Sequence, residues 1–561
     1  MKSKKLLTFI FVLAGLQVFS QISPNKYYIQ FTDKNNSPYS ISNPQEFLTQ
    51  RALNRRAAQG IAIVENDIPV NVSYLQGVAG TGANLLFQTR WFNGVTIETT
   101  NTSVIEAILA LPYVAYSLKM VEKPNSKKKE FFENESLGGL INPEDFKSLR
   151  EGTELDYGTA FLQIDQINGI PLHNNGYTGG GVVIAVLDGG FDGAQVHPVF
   201  DSLWADNRVL GTKDFVHVNG DVFTESQHGK MVLSDMAAYA PGNMIGTAPL
   251  ASYWLLRSED VNSENLIEEY NWVSAAEFAD SVGADVINSS LSYVDYDTVG
   301  GIPDWTHAYE DMNGITCVAT IGADIAVSKG IFVCNSAGNS GNDSFPWIGA
   351  PADGFDVFAV GALKDNGQRA SFSSIGPTAD GRIKPDIMAL GQNATIAVGN
   401  DGVAAGSGTS FASPIFAGMV ACLWQANPSM KVQQVQAAIL ESSSNAGSPN
   451  NDIGWGTPDF EVANALMTTV EQKVRPENVV KAWPNPFSNE LSLQINASSQ
   501  YPVFIEIIST TGNIVFTKSI DNIQANSILS FGNSFDRLAN GLYLLKVTFN
   551  DKTEIHRLIK Q

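Results

Sequence analysis

Gly406-Ser407-Gly408-Thr409-Ser410-Phe411-Ala412-Ser413-Pro414 sets a serine hydroxyl among small residues where a loop turns into a helix. The run that follows, Ile415 to Ala421, is apolar enough for a buried helix. Proline is tolerated in the first turn of a helix and little elsewhere, so the helix is expected to begin close to Ser410. A helix start offers unpaired N–H groups and a partial positive charge, which suits a nucleophile whose attack develops negative charge. Alone, the stretch reads more simply as a Gly/Ser-rich turn before a core helix. What the rest of the chain offers Ser410 decides between the two.

Working outward, Gly181-Val182-Val183-Ile184-Ala185-Val186-Leu187 is a continuous apolar, β-branched run, as a strand buried on both faces of a parallel sheet requires. Ala284 to Asn288 and Gly330 to Cys334 are two more, and Leu266 to Val282 and Ile321 to Lys329 read as helices. This alternation predicts an α/β fold with a doubly wound, mostly parallel sheet over 155–470, whose sites lie at the carboxyl ends of its strands. Asp188 directly follows the first of these strands. His228 stands in Gln227-His228-Gly229-Lys230, just ahead of a helical run to Tyr239, and Asn339 in Ala337-Gly338-Asn339, just past a strand end. A serine hydroxyl needs a base to take its proton, and the base needs a third group to orient it. The tetrahedral intermediate needs hydrogen-bond donors. Asp188, His228, Ser410 and Asn339 supply those parts and form the candidate catalytic set.

The 561 residues exceed one ordinary domain. A net charge of −22 argues against nucleic acid as a partner, which calls for a basic face. Lysines at 2, 4 and 5, an apolar run from Leu6 to Phe19 and then Ser20-Gln21 predict a signal peptide over 1–20. No later stretch is long and apolar enough to span a bilayer, so the mature chain is expected to be exported without a transmembrane segment. Cys317, Cys334 and Cys422 are widely spaced in apolar contexts and are expected to be buried free thiols.

Residues 21–122 read as a small α+β unit, strand-helix-strand-helix-strand. Its first helix runs from Phe47 to Ala58 with Arg51, Arg55 and Arg56 outside, and its second is capped by Ser103. From 123 to 154 the periodicity fails, and Lys127-Lys128-Lys129, acidic residues and Gly138-Gly139 predict a polar, flexible linker. From 475 to 561 short alternating runs, with turn signals at Thr511-Gly512 and Asn540-Gly541, predict a small β-sandwich.

Taken together, Val186-Leu187-Asp188-Gly189, His228-Gly229, Ala337-Gly338-Asn339 and Gly408-Thr409-Ser410-Phe411-Ala412-Ser413-Pro414 closely resemble the subtilisin-like serine proteases, in which the triad also runs Asp, His, Ser. The resemblance spans about 155–468. It implies peptide-bond hydrolysis by Ser410, His228 and Asp188 with Asn339 in the oxyanion hole. It also implies that Ser290, Leu291 and Ser292, with Gly338, bind protein or peptide substrates. No cofactor is required for catalysis on this reading. Structural calcium occurs in such enzymes, but no ligand loop identifies a metal site here, and Asp201, Asp206 and Asp214 read as surface residues. The chain departs from the family pattern at Gly190, where Ser or Thr is usual, at Lys230, where Thr is usual, and at Ser292, where Gly is usual. Lys230 would depress the His228 pKa if directed inward, and Ser292 would narrow the cleft. The 21–122 unit resembles the family's inhibitory propeptide, with processing expected in 123–154. The last unit, with Trp483-Pro484-Asn485-Pro486-Phe487 and Gly541-Leu542-Tyr543, resembles the C-terminal sorting domain of type IX secretion substrates of Bacteroidetes. That implies the secretion machinery as a partner and a secreted or cell-surface location reached through the periplasm. The alternative from another class is a catalytically inactive cell-surface binding protein on the same fold.

Overall fold

The computed structural model describes residues 25–120, 126–127, 135–140, 153–294, 298–299, 302–303 and 307–469, then 480–483, 487, 490–495, 502–509, 514–521, 523–524, 527–532, 534–535, 538, 541–549 and 552–560. The signal peptide and the motif residues 484–486, 511–512 and 540 lie outside the described residues.

The first elements are Lys26–Phe31 (β1), Gln50–Gln59 (α1), Val72–Gly80 (α2), Asn84–Thr89 (β2), Gly94–Glu98 (β3), Thr102–Leu109 (α3) and Val114–Lys119 (β4). The strands form one antiparallel sheet in the order β2-β3-β1-β4. Ile29, Phe31, Val95 and Ile97 from the sheet meet Val78, Val104 and Ile108 from the helices in its core. The pattern of the sequence concealed α2 and β2. Asn101, not Ser103, caps α3, its side chain accepting from the Ser103 N–H. Arg55 and Arg56, expected outside, are buried against Asp280.

Residues expected to be linker contain a strand. Ser136–Leu140 (β5) adds antiparallel to the edge of a hairpin made by Ala394–Val398 and Gly402–Ser407, with Ser136 opposite Ser407 and Leu137 opposite Gly406. Between them in the chain lie Val183–Asp188 (β6), Val209–Asp214 (β7), His228–Ala237 (α4), Ser252–Arg257 (β8), Ile267–Val282 (α5), Val286–Ser289 (β9), Val318–Ser328 (α6), Phe332–Ser336 (β10), Phe358–Leu363 (β11) and Ile387–Leu390 (β12). The hairpin strands are then β13 and β14, followed by Thr409–Ala426 (α7). The seven-stranded parallel sheet has the order β12-β11-β10-β9-β6-β8-β7. Every residue of β6, β9, β10, β11 and β12 is buried, as strands covered on both faces must be.

α7 threads the centre of this unit, buried from Thr409 to Trp424. Pro414 lies inside the helix rather than at its first position. Proline lacks the N–H that would have bonded the carbonyl four residues back, which is that of Ser410. The Ser290 hydroxyl donates to that carbonyl instead, at 2.9 Å. The residue that looked like a helix-start signal therefore frees a carbonyl that ties α7 to the segment after β9.

Residues 470–561 form a second compact unit. One sheet holds Val480–Trp483 (β15), Glu490–Ile495 (β16) and Ser527–Gly532 (β19); the other orders Ile514–Ile520 (β18), Val503–Ser509 (β17), Gly541–Phe549 (β20) and Lys552–Lys560 (β21). Leu491, Leu493 and Ile495 of the first sheet share a core with Ile505, Ile507, Leu545 and Val547 of the second, which makes a sandwich. Among the described residues no helix is long and apolar enough to cross a membrane.

Candidate active site

Asp188 is the last residue of β6, beside Arg257 of β8 in register. Its side chain is fully buried, accepts from the Gly189 N–H at 2.7 Å, and meets Nδ1 of His228 at 2.8 and 3.0 Å. His228 opens α4, where the Ser226 hydroxyl accepts its backbone N–H. Burial raises the Asp188 pKa, and His228 pulls it back. Burial would lower the His228 pKa, but Asp188 and then Glu135 outweigh it and the imidazole is pushed up to about 10. Lys230 does not act on this ring as expected: its Nζ donates to the Gly399 carbonyl at 2.6 Å and to Gln227 at 3.3 Å.

Gly190 has a physical reason to depart from Ser or Thr. Its φ is +148°, and a Cβ there would stand 2.7 Å from the Thr224 carbonyl oxygen.

Ser410 is the second residue of α7, among the N–H groups that a helix leaves without intrahelical partners. Its hydroxyl lies 3.5 Å from the Ser290 carbonyl. Asn339 reaches the same helix start from the loop after β10: its Oδ1 accepts from the Thr409 N–H at 2.8 Å and the Thr409 hydroxyl at 2.9 Å. The Gly338 N–H donates to that hydroxyl at 3.2 Å, so fully buried Thr409 locks the loop to the helix. The sequence carries no signal for this role of Thr409, because a methyl-bearing hydroxyl next to a nucleophile looks like any other small residue of the turn. Ser290 and Leu291 are buried; Ser292 is exposed, its hydroxyl set against Gly338 and Gly349.

Glu135, from residues expected to be linker, joins the site. Its carboxylate lies 3.3 Å from Nε2 of His228, with 6% of the side chain exposed. Glu259 and Glu264, in the loop between β8 and α5, and Glu268, in the first turn of α5, form a second acidic group, with oxygens within 4.8 Å of one another and all three buried. Tyr293 donates to Glu259 at 2.8 Å. Burial and the neighbouring carboxylates raise the pKa values of Glu259 and Glu268. The all-oxygen donor set suits a hard cation such as calcium. Of the three aspartates expected at the surface, Asp201 and Asp206 are exposed, but Asp214 is buried and paired with Arg257 at 3.2 Å. The three cysteines are buried free thiols.

Comparison with known proteins matches residues 179–456 to the subtilase family. Subtilisin NAT of Bacillus subtilis subsp. natto is 33% identical over 288 residues, which are 51% of this chain and 66% of that protein. Subtilisin of Bacillus pumilus is 32% identical over 289 residues, 51% of this chain and 92% of that protein. The chain belongs to the subtilase family. Residues 26–134 of this subtilase match the Peptidase S8 propeptide domain of Bacteroidota, and 481–561 match a secretion system C-terminal sorting domain. The crystal structure of fervidolysin from Fervidobacterium pennivorans, a keratinolytic enzyme related to subtilisin, superposes with a TM-score of 0.52 at 17% identity, covering 94% of this chain and 71% of that one. The match to fervidolysin bears on the fold alone.

Proposed function

We propose that this subtilase is a serine endopeptidase made as a zymogen. Ser410 attacks the substrate carbonyl, His228 takes its proton and returns it to the leaving amine, and Asp188 holds the imidazole and stabilises its charge. The Asn339 amide and the Ser410 N–H receive the oxyanion. Ser290, Leu291, Ser292 and Gly338 line the cleft that binds the peptide. The observation that carries the reading is the 2.8 Å contact between Asp188 and His228 at the end of β6, with the other ring nitrogen turned toward a segment laid along β14.

The rest of the chain is read around this centre. Residues 1–20 are the signal peptide, 21–122 the inhibitory propeptide, 123–154 the joint where processing falls, 155–470 the peptidase and 475–561 the sorting domain. The last of these engages the secretion machinery once the chain has reached the periplasm, for release or surface attachment.

Hydrolysis of casein by the processed protein, compared with Ser410→Ala, tests the activity. Loss of on the order of 10⁴-fold or more in the variant is expected, because the triad acts as a unit. Equal rates would end the reading. Deletion of 475–561 is expected to leave the protein in the periplasm, and unchanged surface delivery would refute the sorting role.

A further inference from the structure

We propose that this protease cuts after small residues, glycine, alanine or serine, because the side chain of Ser292 takes the space that a larger one would need. The proposal rests on Ser410 being the nucleophile and goes beyond that reading by naming the class of bond that is cut.

Two segments are fastened to the first turn of α7. One follows β9: the Ser290 hydroxyl donates to the Ser410 carbonyl at 2.9 Å, and the Ser410 hydroxyl lies 3.5 Å from the Ser290 carbonyl. The other is the loop after β10, held by the bonds from Thr409 to Asn339 and from Gly338 to Thr409. A substrate carbonyl attacked by Ser410 turns its oxygen to the Asn339 amide and its leaving nitrogen to His228. The residue that carries this carbonyl is left with the gap between the two segments, Ser290 to Ser292 and Gly338, for its side chain.

Gly349 borders the same gap. Tyr293, next to Ser292, exchanges backbone hydrogen bonds with Ala350, next to Gly349, at 2.8 and 3.2 Å. A Cβ on Gly349 would run into Oγ of Ser292 and stand 2.7 Å from Cγ2 of Val294. A Cβ on Gly338 would stand 2.9 Å from Oγ of Ser374 and 3.3 Å from Oγ of Ser292. Two glycines beside a cleft leave room for a ligand, since neither brings a side chain of its own. Here the hydroxyls of Ser292 and Ser374 and a methyl of Val294 take that room. Gly338 and Gly349 are buried and Ser292 is exposed, so the hydroxyl that reaches both glycines stands at the mouth of the gap. The surroundings have little freedom to give way. The Ser374 N–H donates to the Gly338 carbonyl at 2.9 Å, its hydroxyl accepts from the Ser340 N–H at 3.0 Å, and Ala350 holds Tyr293. Forcing an aromatic ring into a site so packed displaces side chains and backbone, whereas a methyl or hydroxymethyl group needs no such shift. The departure from the glycine usual at 292 is therefore what sets the size limit.

Matured wild type is assayed on two quenched peptides that differ only in the residue before the bond, alanine in one and phenylalanine in the other, with the cut located by mass spectrometry. The kcat/KM for the alanine peptide is expected to exceed that for the phenylalanine peptide by at least about tenfold. Equal values, or a preference for phenylalanine, overturn the proposal while leaving the protease reading intact. This comparison needs no variant and so decides even where a substitution prevents folding. Ser292→Gly is expected to shift the ratio toward phenylalanine by at least about tenfold. A variant that slows both peptides alike, with the ratio unchanged, shows that Ser292 acts on structure alone and overturns its role in selection. If the wild type cuts neither peptide nor casein, or Ser410→Ala cuts them equally, the protease reading itself fails.

Discussion

Nε2 of His228 and the carboxylate of Glu135 stand 3.3 Å apart, on the opposite edge of the ring from Asp188. The imidazole is therefore held between two carboxylates and pushed from 6.5 up to about 10. A base that already carries its proton cannot take one from Ser410. A raised histidine pKa means that this contribution to stability is complete below pH 6.5 and fades as pH rises through about 10. In uncut Ser410→Ala precursor, His228 is expected to titrate in that alkaline range by ¹⁵N NMR, and Glu135→Gln is expected to lower the value. Self-processing of the wild type should accelerate with pH, and the rise should move to lower pH in Glu135→Gln. An unchanged His228 titration in Glu135→Gln would contradict this.

Asp280 of α5 receives three arginines from the N-terminal unit: Arg55 at 2.5 Å, Arg56 at 2.8 Å and Arg90 at 2.7 Å. All four side chains are nearly inaccessible. Removing one partner from a buried ionic group leaves the others uncompensated, at a cost of about 3–5 kcal/mol. Asp280→Ala is expected to speed release of the cut propeptide by on the order of 10²-fold or more, measured by size-exclusion chromatography after processing. Release at the wild-type rate would show that the ionic cluster does not hold the propeptide.

Acid should undo the same interface. Asp67 of the N-terminal unit contacts Arg56 and, across the interface, Lys329 at 3.0 Å. Burial would raise its pKa, but Arg56 and Lys329 hold it down to about 2. A depressed carboxylate contributes stability above its ordinary 3.8 and loses it as pH falls through about 2. The cut complex is expected to stay joined through this contact from pH 5 to 8 and to weaken between pH 4 and 2, read by hydrogen exchange at β1–β4. Asp67→Asn should remove the pH dependence in that window.

Much of the centre was legible because its residues sit in short, composition-rich motifs at strand and helix ends, as Asp188, His228 and Ser410 do. What escaped depends on partners far along the chain. Arg55 and Arg56 lie on the polar face of α1, and nothing near them reveals that their acceptor is Asp280, 225 and 224 residues away. Glu135 lies in a polar stretch without periodicity, and the residues just after it become a strand only because β14 presents an edge. Asp214 reads as a surface acid until Arg257 of the neighbouring strand is placed beside it. Pro414 was legible as a helix marker, but not as the cause of the Ser290 bond.

That bond gives a further test. Ser290→Ala leaves the buried Ser410 carbonyl without its donor and is expected to destabilise the peptidase by about 1–3 kcal/mol in thermal unfolding. Adding Pro414→Ala supplies the missing N–H within α7 and should recover part of the loss. Strict additivity of the two changes would mean that they do not share this carbonyl.

The central claim is that Ser410 is a nucleophile activated by His228. A fluorophosphonate probe on the matured protein, located by peptide mapping, addresses it most directly. The expected result is a single adduct on Ser410, lost on His228→Ala and strongly reduced on Asp188→Asn. An adduct on another serine, or equal labelling of Ser410 without His228, would contradict it.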